Sequence, residues 1–184
     1  RYTNDRKRST PIPSQLLLGA FNFGTESGPS SGGRVSRGYP ALPPINQEWN
    51  AFTGRLVVDW SPQTSFTDDT LVYASYSRGY KGGGSNPPRV DIDPKVIQYQ
   101  PLAETFEPEY VNAFEIGMKN SLAGGKVMLN ATAFLNLYKD YQVSQIVDRI
   151  SLNENFDATT WGLELEAAWQ PSRNFRVDSN FGYL

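Results

Sequence analysis

The sequence predicts an all-β fold, a fragment of an antiparallel transmembrane β-barrel with about six long meander strands, short periplasmic turns and long extracellular loops. Apolar and polar residues alternate with a period of two through several long stretches. The longest stretch, 126–141, is about three times as long as a usual globular strand, and strands that cross a bilayer at a tilt are long. Short and long connections also alternate along the chain, as they do in membrane barrels.

The hairpin 106–141 is the stretch around which the other strands are predicted to align. Its first arm has an apolar face and a polar face, with Phe114, Ile116 and Met118 on the former and Glu115, Gly117 and Lys119 on the latter. A tight turn is predicted at 121–125, because the pair Gly124 and Gly125 supplies the positive φ that a short loop needs. The second arm, 126–141, continues the alternation.

The same alternation places the remaining strands. Residues 1–8 read as the end of a strand, and further strands are predicted at 49–60, 69–81, 156–170 and 175–184. Within the first long connection, Leu16, Leu17 and Leu18 predict a short strand or a helical turn. Residues 1–184 are thus expected to be part of one β-barrel domain.

The connections differ systematically in length. Short turns are predicted at 61–68, 121–125 and 171–174, and long outer loops at about 9–48, 82–105 and 144–155. Because every second connection is long, all long ones lie at one end of the sheet. Outer-membrane barrels have this asymmetry.

Aromatic residues recur near both ends of the apolar faces. The membrane-interface aromatics predicted from this pattern are Phe52, Trp60, Tyr76, Trp161 and Trp169. Phe52 and Trp60 are eight residues apart, as are Trp161 and Trp169. At about 3.4 Å per residue and a tilt near 40°, this spacing covers roughly 20 Å along the membrane normal.

Charges of both signs occupy the polar faces. The side chains predicted to face the barrel lumen are Arg55, Asp59, Glu115, Lys119, Glu164, Glu166, Arg176 and Asp178. In a closed barrel they can pair across strands and contact water or a plug. A soluble β-sandwich explains the alternation equally well, but explains these mixed charges less well.

Composition excludes several function classes. The chain has 184 residues, a net charge of −2, and neither cysteine nor histidine. Nucleic acid is therefore not a predicted partner, and thiolate metal sites, a Ser-His triad and most zinc sites are excluded. No catalytic residues, metal site or cofactor are predicted. Mean hydropathy is −0.48, and no apolar run is long enough for a transmembrane helix.

Several segments resemble strands of TonB-dependent outer-membrane receptors. They are 71–83 (LVYASYSRGYKGG), 106–120 (FEPEYVNAFEIGMKN), 131–141 with its YKDY ending, and 155–166, which ends in WGLELE. The start of the chain, Arg1-Tyr2-Thr3, looks like the end of an earlier strand of that family. The resemblance covers most of the chain outside the first two long loops.

What this resemblance implies is a 22-stranded barrel in the bacterial outer membrane, plugged by an N-terminal domain. Such receptors are transporters and not enzymes, and they take up siderophore-bound iron, cobalamin or carbohydrate with energy relayed by TonB. The implied partners are membrane lipid, the rest of the barrel, a plug domain, the TonB complex acting through that plug, and a small-molecule ligand such as a metal chelate. Both ends of the sequence look cut, which predicts an interior piece without its plug.

Candidate ligand contacts lie where strands meet the outer loops. They are Arg78, Tyr80, Lys81, Tyr99, Tyr138, Tyr141 and Gln142. Cationic and aromatic side chains suit an anionic chelate or a ring-bearing ligand. The alternative is that these residues are structural. Arg78, Tyr80 and Lys81 would then anchor the strand at the membrane interface, 82–84 would be a glycine hinge, and the other tyrosines would belong to an aromatic girdle.

Two other function classes stay open on the sequence alone. A soluble all-β module that binds carbohydrate or protein would use the aromatic loops, and would stay monomeric without detergent. A β-rich hydrolase would use Glu164 and Glu166, whose spacing of about 6.8 Å on one strand face lies in the range of inverting glycosidases.

Overall fold

The structure is a computed structural model that describes residues 1–11, 16–17, 34–35, 43–88, 103–147 and 150–184. Its strands are β1 (Tyr2–Ser9), β2 (Leu16–Leu17), β3 (Arg34–Val35), β4 (Ile45–Phe52), β5 (Gly54–Trp60), β6 (Asp69–Lys81), β7 (Gly84–Ser85), β8 (Thr105–Phe106), β9 (Glu109–Leu122), β10 (Val127–Val147), β11 (Ile150–Ser172) and β12 (Phe175–Tyr183). In this part of the chain no helix is long and apolar enough to cross a membrane.

The main element is an antiparallel six-stranded sheet in the order β12-β11-β10-β9-β6-β5. The predicted strand 49–60 is longer than expected and is interrupted at Thr53, where β4 leads into β5. Thr53 exchanges two backbone hydrogen bonds with Arg1, of 2.7 and 2.9 Å. Therefore β1 pairs with one half of this strand and β6 with the other half.

A four-residue turn joins β9 to β10. Ala123, Gly124 and Gly125 have φ angles of 57°, 67° and 78°, so the predicted positive φ of the glycine pair is confirmed. The backbone N–H of Gly125 donates to Asp68 Oδ2 over 3.0 Å, which ties this turn to the neighbouring connection 61–68. The connections 61–68, 123–126 and 173–174 define the short-turn end of the sheet, and the opposite end is the long-connection end.

The apolar face is uncovered. Cross-strand pairing aligns Ala74, Ile116, Ala133, Leu163 and Tyr183 in one row across five strands. Ile116 is 59% exposed and Leu163 47% exposed. The soluble sandwich requires a second layer over this face, and within the described ranges no such layer covers it. The fold is therefore a sheet whose exposed apolar face can contact an apolar environment outside the described residues.

Most close packing is on the polar face. The ring of Tyr73 lies over Gly117 and extends to β10, where its hydroxyl is 3.1 Å from Thr132 Oγ1. Phe134 lies over Gly162 in the same way. The absence of a Cβ at these glycines lets the two rings lie flat on the neighbouring strand, which shields the backbone hydrogen bonds there.

The third predicted long loop, 144–155, is mostly strand. Ser144 pairs with Asn153, and β10 and β11 continue to Val147 and Ile150, with residues 148–149 outside the described ranges. The segment is rich in Ser, Gln, Asn and Glu, but it contains no Gly or Pro. Its polar residues predicted a loop, whereas its backbone pairs as a hairpin that extends beyond the apolar rows and includes Leu152, which is only 2% exposed.

The other two predicted loops also contain paired segments. Within 9–48, β2 pairs with β3 and β4 already begins at Ile45. Leu16 and Leu17 form a strand and not a helical turn. In the predicted loop 82–105, β7 near its start pairs with β8, which begins at its last residue, Thr105.

Candidate functional site

The carbonyls of the glycine strap, defined as Gly82, Gly83 and Gly84, are bound by side chains from three other strands. Gly82 O accepts from Gln142 Nε2 over 3.0 Å, and Gly84 O accepts from Gln47 Nε2 over 3.1 Å. Gly83 O accepts a 2.5 Å hydrogen bond from Lys7 Nζ. The strap thus connects β1, β4 and β10 at the long-connection end.

Close approach of neighbouring atoms explains why this segment is glycine. A Cβ on Gly83 would lie 2.5 Å from the backbone oxygen of Phe106 and 2.7 Å from the Trp49 ring, and one on Gly84 would lie 2.6 Å from the Phe106 ring. Both glycines are buried. Positive φ in the described residues is found at positions 123, 124, 125 and 140, and not in the strap. Packing therefore accounts for Gly83 and Gly84 without positive φ, and the glycine hinge stays a prediction.

Asn86 follows the strap and is only 6% exposed. Its Nδ2 donates to the backbone oxygens of Ala103 (2.9 Å) and Asn153 (3.0 Å), and its Oδ1 accepts from the Asn153 N–H (2.8 Å). Its own N–H donates to Glu104 O over 2.9 Å. One side chain thus joins the connection between β6 and β9 to the extended hairpin of β10 and β11.

A β-bulge lies in β10 where the apolar rows end. Tyr138 pairs with Ala158 and Tyr141 with Phe156, so two residues of β10 face one residue of β11. Asp140 has a φ of 56°, a left-handed conformation that Asp tolerates better than most residues. Its N–H donates to Asp157 Oδ1 over 3.0 Å.

Electrostatics stabilise this bulge. The Asp140 N–H and the Lys139 ammonium group, at 3.1 Å, both lower the pKa of the Asp157 carboxyl. The hydrogen bond to Asp157 raises the pKa of Lys139 in turn. Since these groups are exposed, water screens the pair, and its contribution is modest. In β4, the amide of Asn4 and then Arg6 lower the pKa of Glu48.

Arg78 and Tyr80 lie on the apolar face. The Arg78 guanidinium is 5.1 Å from the centre of the Tyr110 ring, and Tyr80 stacks on the same ring at 5.4 Å. The Tyr80 hydroxyl donates to Asp5 Oδ2 over 3.4 Å. A cation and two rings are thus packed together at the end of the apolar rows.

Lys81 and Gln142 lie near each other but apart from that pair. Lys81 Nζ is 3.7 Å from Glu109 Oε2, which also accepts from the Gln142 N–H over 3.0 Å. Gln142 Nε2 donates to Glu107 O as well as to the strap, so its amide nitrogen holds two carbonyls. The rings of Tyr138 and Tyr141 meet edge to face at 5.2 Å. Tyr99 lies outside the described residues.

The eight predicted lumen charges share one face. Asp59, Tyr73, Gly117, Thr132 and Glu164 form one row of cross-strand partners, and the other charges lie in rows of the same face. Those other charges are Arg55, Glu115, Lys119, Glu166, Arg176 and Asp178. Glu166 Oε2 accepts from Asn130 Nδ2 over 3.1 Å, and Arg176 pairs with Asp178.

The predicted interface aromatics border a band that is oblique to the strands. At one end the border passes from Phe52 to Tyr183. The cross-strand row that contains Tyr183 meets β5 at Val58, six residues beyond Phe52 along the chain. At the other end the border passes from Trp60 on β5 to Phe175 on β12. The rows of these two residues are again offset by six residues over the five steps from β5 to β12. With about 3.4 Å per residue and about 4.8 Å between strands, both borders imply a strand tilt of ~40°.

Trp161 and Trp169 lie on β11 at these borders, with the Trp161 ring 5.6 Å from Tyr183 and the Trp169 ring 6.1 Å from Phe175. The Tyr76 ring lies 5.1 Å from that of Phe114, and the Tyr76 hydroxyl donates to Asn112 Oδ1. Two parallel borders at the same tilt are the geometry expected of aromatic girdles on a membrane barrel.

Sequence reasoning missed the residues that hold the long-connection end together. These are Asn86, Lys7, Gln47 and the bulge residue Asp140. For Asp140 a signal existed, since Asp is unfavourable inside a strand. The partners of the other three are 17 to 76 residues away, and no local pattern indicates such contacts.

Comparison with known proteins gives the family. Residues 2–184 match the family model described as TonB dependent receptor-like, beta-barrel. No curated protein and no solved structure gave a significant match. The match covers nearly the whole chain and agrees with the uncovered apolar face, the alternating connections and the tilt of the aromatic borders. The chain therefore belongs to the TonB-dependent receptor-like β-barrel family, whose members are receptors of the bacterial outer membrane.

Proposed function

We propose that this chain forms barrel wall and outer loops of a receptor for the active uptake of a scarce small nutrient, of the siderophore-iron, cobalamin or carbohydrate class. A plug domain and the TonB complex acting through it supply the energy, and the chain catalyses no reaction. The observation that carries the proposal is the set of hydrogen bonds that holds the strap, Asn86 and the bulge together at the long-connection end. Lys81, Tyr138 and Tyr141 lie next to these residues.

This assembly suits ligand capture because rigid supports make weak contacts effective. Binding orders side chains and loops at a free-energy cost, and preorganisation lowers that cost. Lys81 projects from the strand end with 62% of its side chain exposed, while Glu109 beneath it is held by Gln142. We assign to Lys81, Tyr138 and Tyr141 the first contacts with an anionic or ring-bearing ligand.

The other predicted contacts take different roles in this proposal. Arg78 and Tyr80 anchor the wall at the membrane interface, because they pack on Tyr110 at the apolar face. Gln142 is a brace, since its amide nitrogen holds backbone carbonyls of Gly82 and Glu107.

Binding to the full-length receptor in detergent tests the assignment. A panel of ferric siderophores, cobalamin and oligosaccharides identifies the ligand by calorimetry, and Lys81→Met is then measured against it. Lys126→Met is the matched control, because Lys126 lies in a turn at the opposite end of the sheet. We expect Lys81→Met to weaken binding of an anionic ligand about ten-fold, the loss of one charge-assisted contact, and Lys126→Met to leave it unchanged. Equal effects of the two variants, or no ligand in the panel, would refute the proposal.

A further inference from the structure

A shallow groove crosses the apolar face towards its short-turn end. Its volume is about 450 Å³, within the range of about 300–1,000 Å³ that is usual for ligand sites. Two adjacent cross-strand rows form it, and the small residues Ala131, Ala167 and Ser179 make its floor. Larger side chains, among them Met118 and Phe181, flank this floor.

The position of the groove decides what can occupy it. It lies on the apolar face between the two aromatic borders, and this face contacts membrane lipid in an outer-membrane receptor. Its lining surface is mostly apolar. The polar residues along it are Asn120, Asn130, Glu166 and Ser179, of which Asn130 and Glu166 belong to a cross-strand row of the opposite face. Asn120 is already hydrogen-bonded, since its Oδ1 accepts from Thr70 and its Nδ2 donates to Leu129 O. A hydrocarbon chain matches such a lining, whereas a polar ligand does not.

Charge lies at the adjoining end of the sheet. The exposed Lys126 is next to β11, because its carbonyl accepts a 2.7 Å hydrogen bond from the Gln170 N–H, and the exposed Arg173 is in the turn that follows. Trp169 and Phe175 lie between the groove and this turn, with their rings edge to face at 6.1 Å. Cations beyond an aromatic border are well placed for phosphate at the membrane surface.

We propose that this groove is a specific lipid site: one acyl chain of an anionic glycerophospholipid of the periplasmic leaflet lies along Ala131, Ala167 and Ser179, with its phosphate near Lys126 and Arg173. The short turns of outer-membrane barrels face the periplasm, which assigns the leaflet. The small residues create the site, because a larger side chain on any of them would fill the space that the chain occupies.

Photolabelling of the full-length receptor tests this site. The receptor is reconstituted into phosphatidylcholine vesicles that contain a trace of phosphatidylglycerol with a diazirine in one acyl chain, and labelled peptides are mapped by mass spectrometry. We expect label to concentrate on the peptides with Ala131, Ala167 and Ser179. The double variant Ala167→Leu/Ser179→Leu should lower that label at least five-fold. Ala133→Leu, on the same face but outside the groove, should not change it.

A second comparison tests the headgroup. Lys126→Gln with Arg173→Gln should remove the preference for the phosphatidylglycerol probe over a phosphatidylcholine probe with the same chain, while label stays in the groove. Heat-modifiable mobility in SDS gels shows that each variant is folded. Label spread evenly over the apolar face, full labelling of the Leu variant, or cross-links to a second copy of the receptor would each overturn the proposal.

Discussion

Replacing Asn86 with Ala is the sharpest test of how the long-connection end is held together. The substitution removes three hydrogen bonds, to Ala103 O, Asn153 O and the Asn153 N–H, at a site where Asn86 is 6% exposed. A neutral hydrogen bond contributes about 1 kcal/mol net. The total is about 3 kcal/mol, which corresponds to roughly a hundred-fold change in the local opening equilibrium.

Hydrogen exchange measures this opening locally, without unfolding the barrel. Peptides that cover 82–88 and 150–156 of the full-length receptor should exchange about a hundred-fold faster in Asn86→Ala, with other strands unchanged. Asn86→Asp keeps the acceptor for Asn153 and should show an intermediate increase. Gln145→Ala is the matched control, because it removes only a hydrogen bond between two exposed side chains on the same hairpin. Acceleration of less than about three-fold in Asn86→Ala would refute the assigned role.

Three further predictions concern packing, membrane contact and pH. Gly83→Ala places a Cβ 2.5 Å from the backbone oxygen of Phe106, so it should destabilise the strap by about 1–3 kcal/mol. Faster hydrogen exchange of the strap measures this loss. Gly54→Ala is the control and should have no effect, because no atom lies within 4 Å of its Cβ. Ile116→Lys, on the apolar face, should cost about 2–4 kcal/mol in urea titrations of folding into vesicles, and Ser75→Lys on the polar face should cost far less; similar costs would contradict the assignment of faces. The lowered pKa of Asp157 means that its contribution to the bulge is complete above the ordinary Asp pKa of about 3.9 and is lost as the pH falls through the lower folded value. The carboxyl ¹³C chemical shift of Asp157 should therefore titrate below about 3.9, and a midpoint at or above that value would contradict the proposed contacts.

Predictions from local pattern were accurate where one local rule dominates. The strand 69–81 was predicted with the observed bounds, because a clean alternation runs between a turn and a glycine run. The turn at Gly124 and Gly125 followed from the need for positive φ. Errors arose where that rule competes with another. In the hairpin tip at 144–155, Ile146 and Val147 are adjacent and two charged residues follow them, so the alternation is interrupted although the strands continue to pair.

The candidate site was predicted only in part. Its region, the outer ends of β6 and β10, followed from the resemblance and from connection lengths. Sequence reasoning did not separate the two faces within that region. It grouped Arg78 and Lys81 by charge, although Arg78 lies over Tyr110 on one face and Lys81 lies beside Glu109 on the other. The parity of strand positions separates these two side chains even without a structure.

The sequence by itself determined which side chains share a face, where the chain can reverse tightly, and that one face is apolar along every long strand. Those properties depend on backbone geometry with a period of two and on residues adjacent in the chain. Only the tertiary structure decided the register between strands, the oblique aromatic borders, the groove on the apolar face and the strap whose carbonyls bind Lys7, Gln47 and Gln142. These features arise from contacts between residues far apart in sequence, whose geometry is set by the pairing of whole strands and not by any local preference.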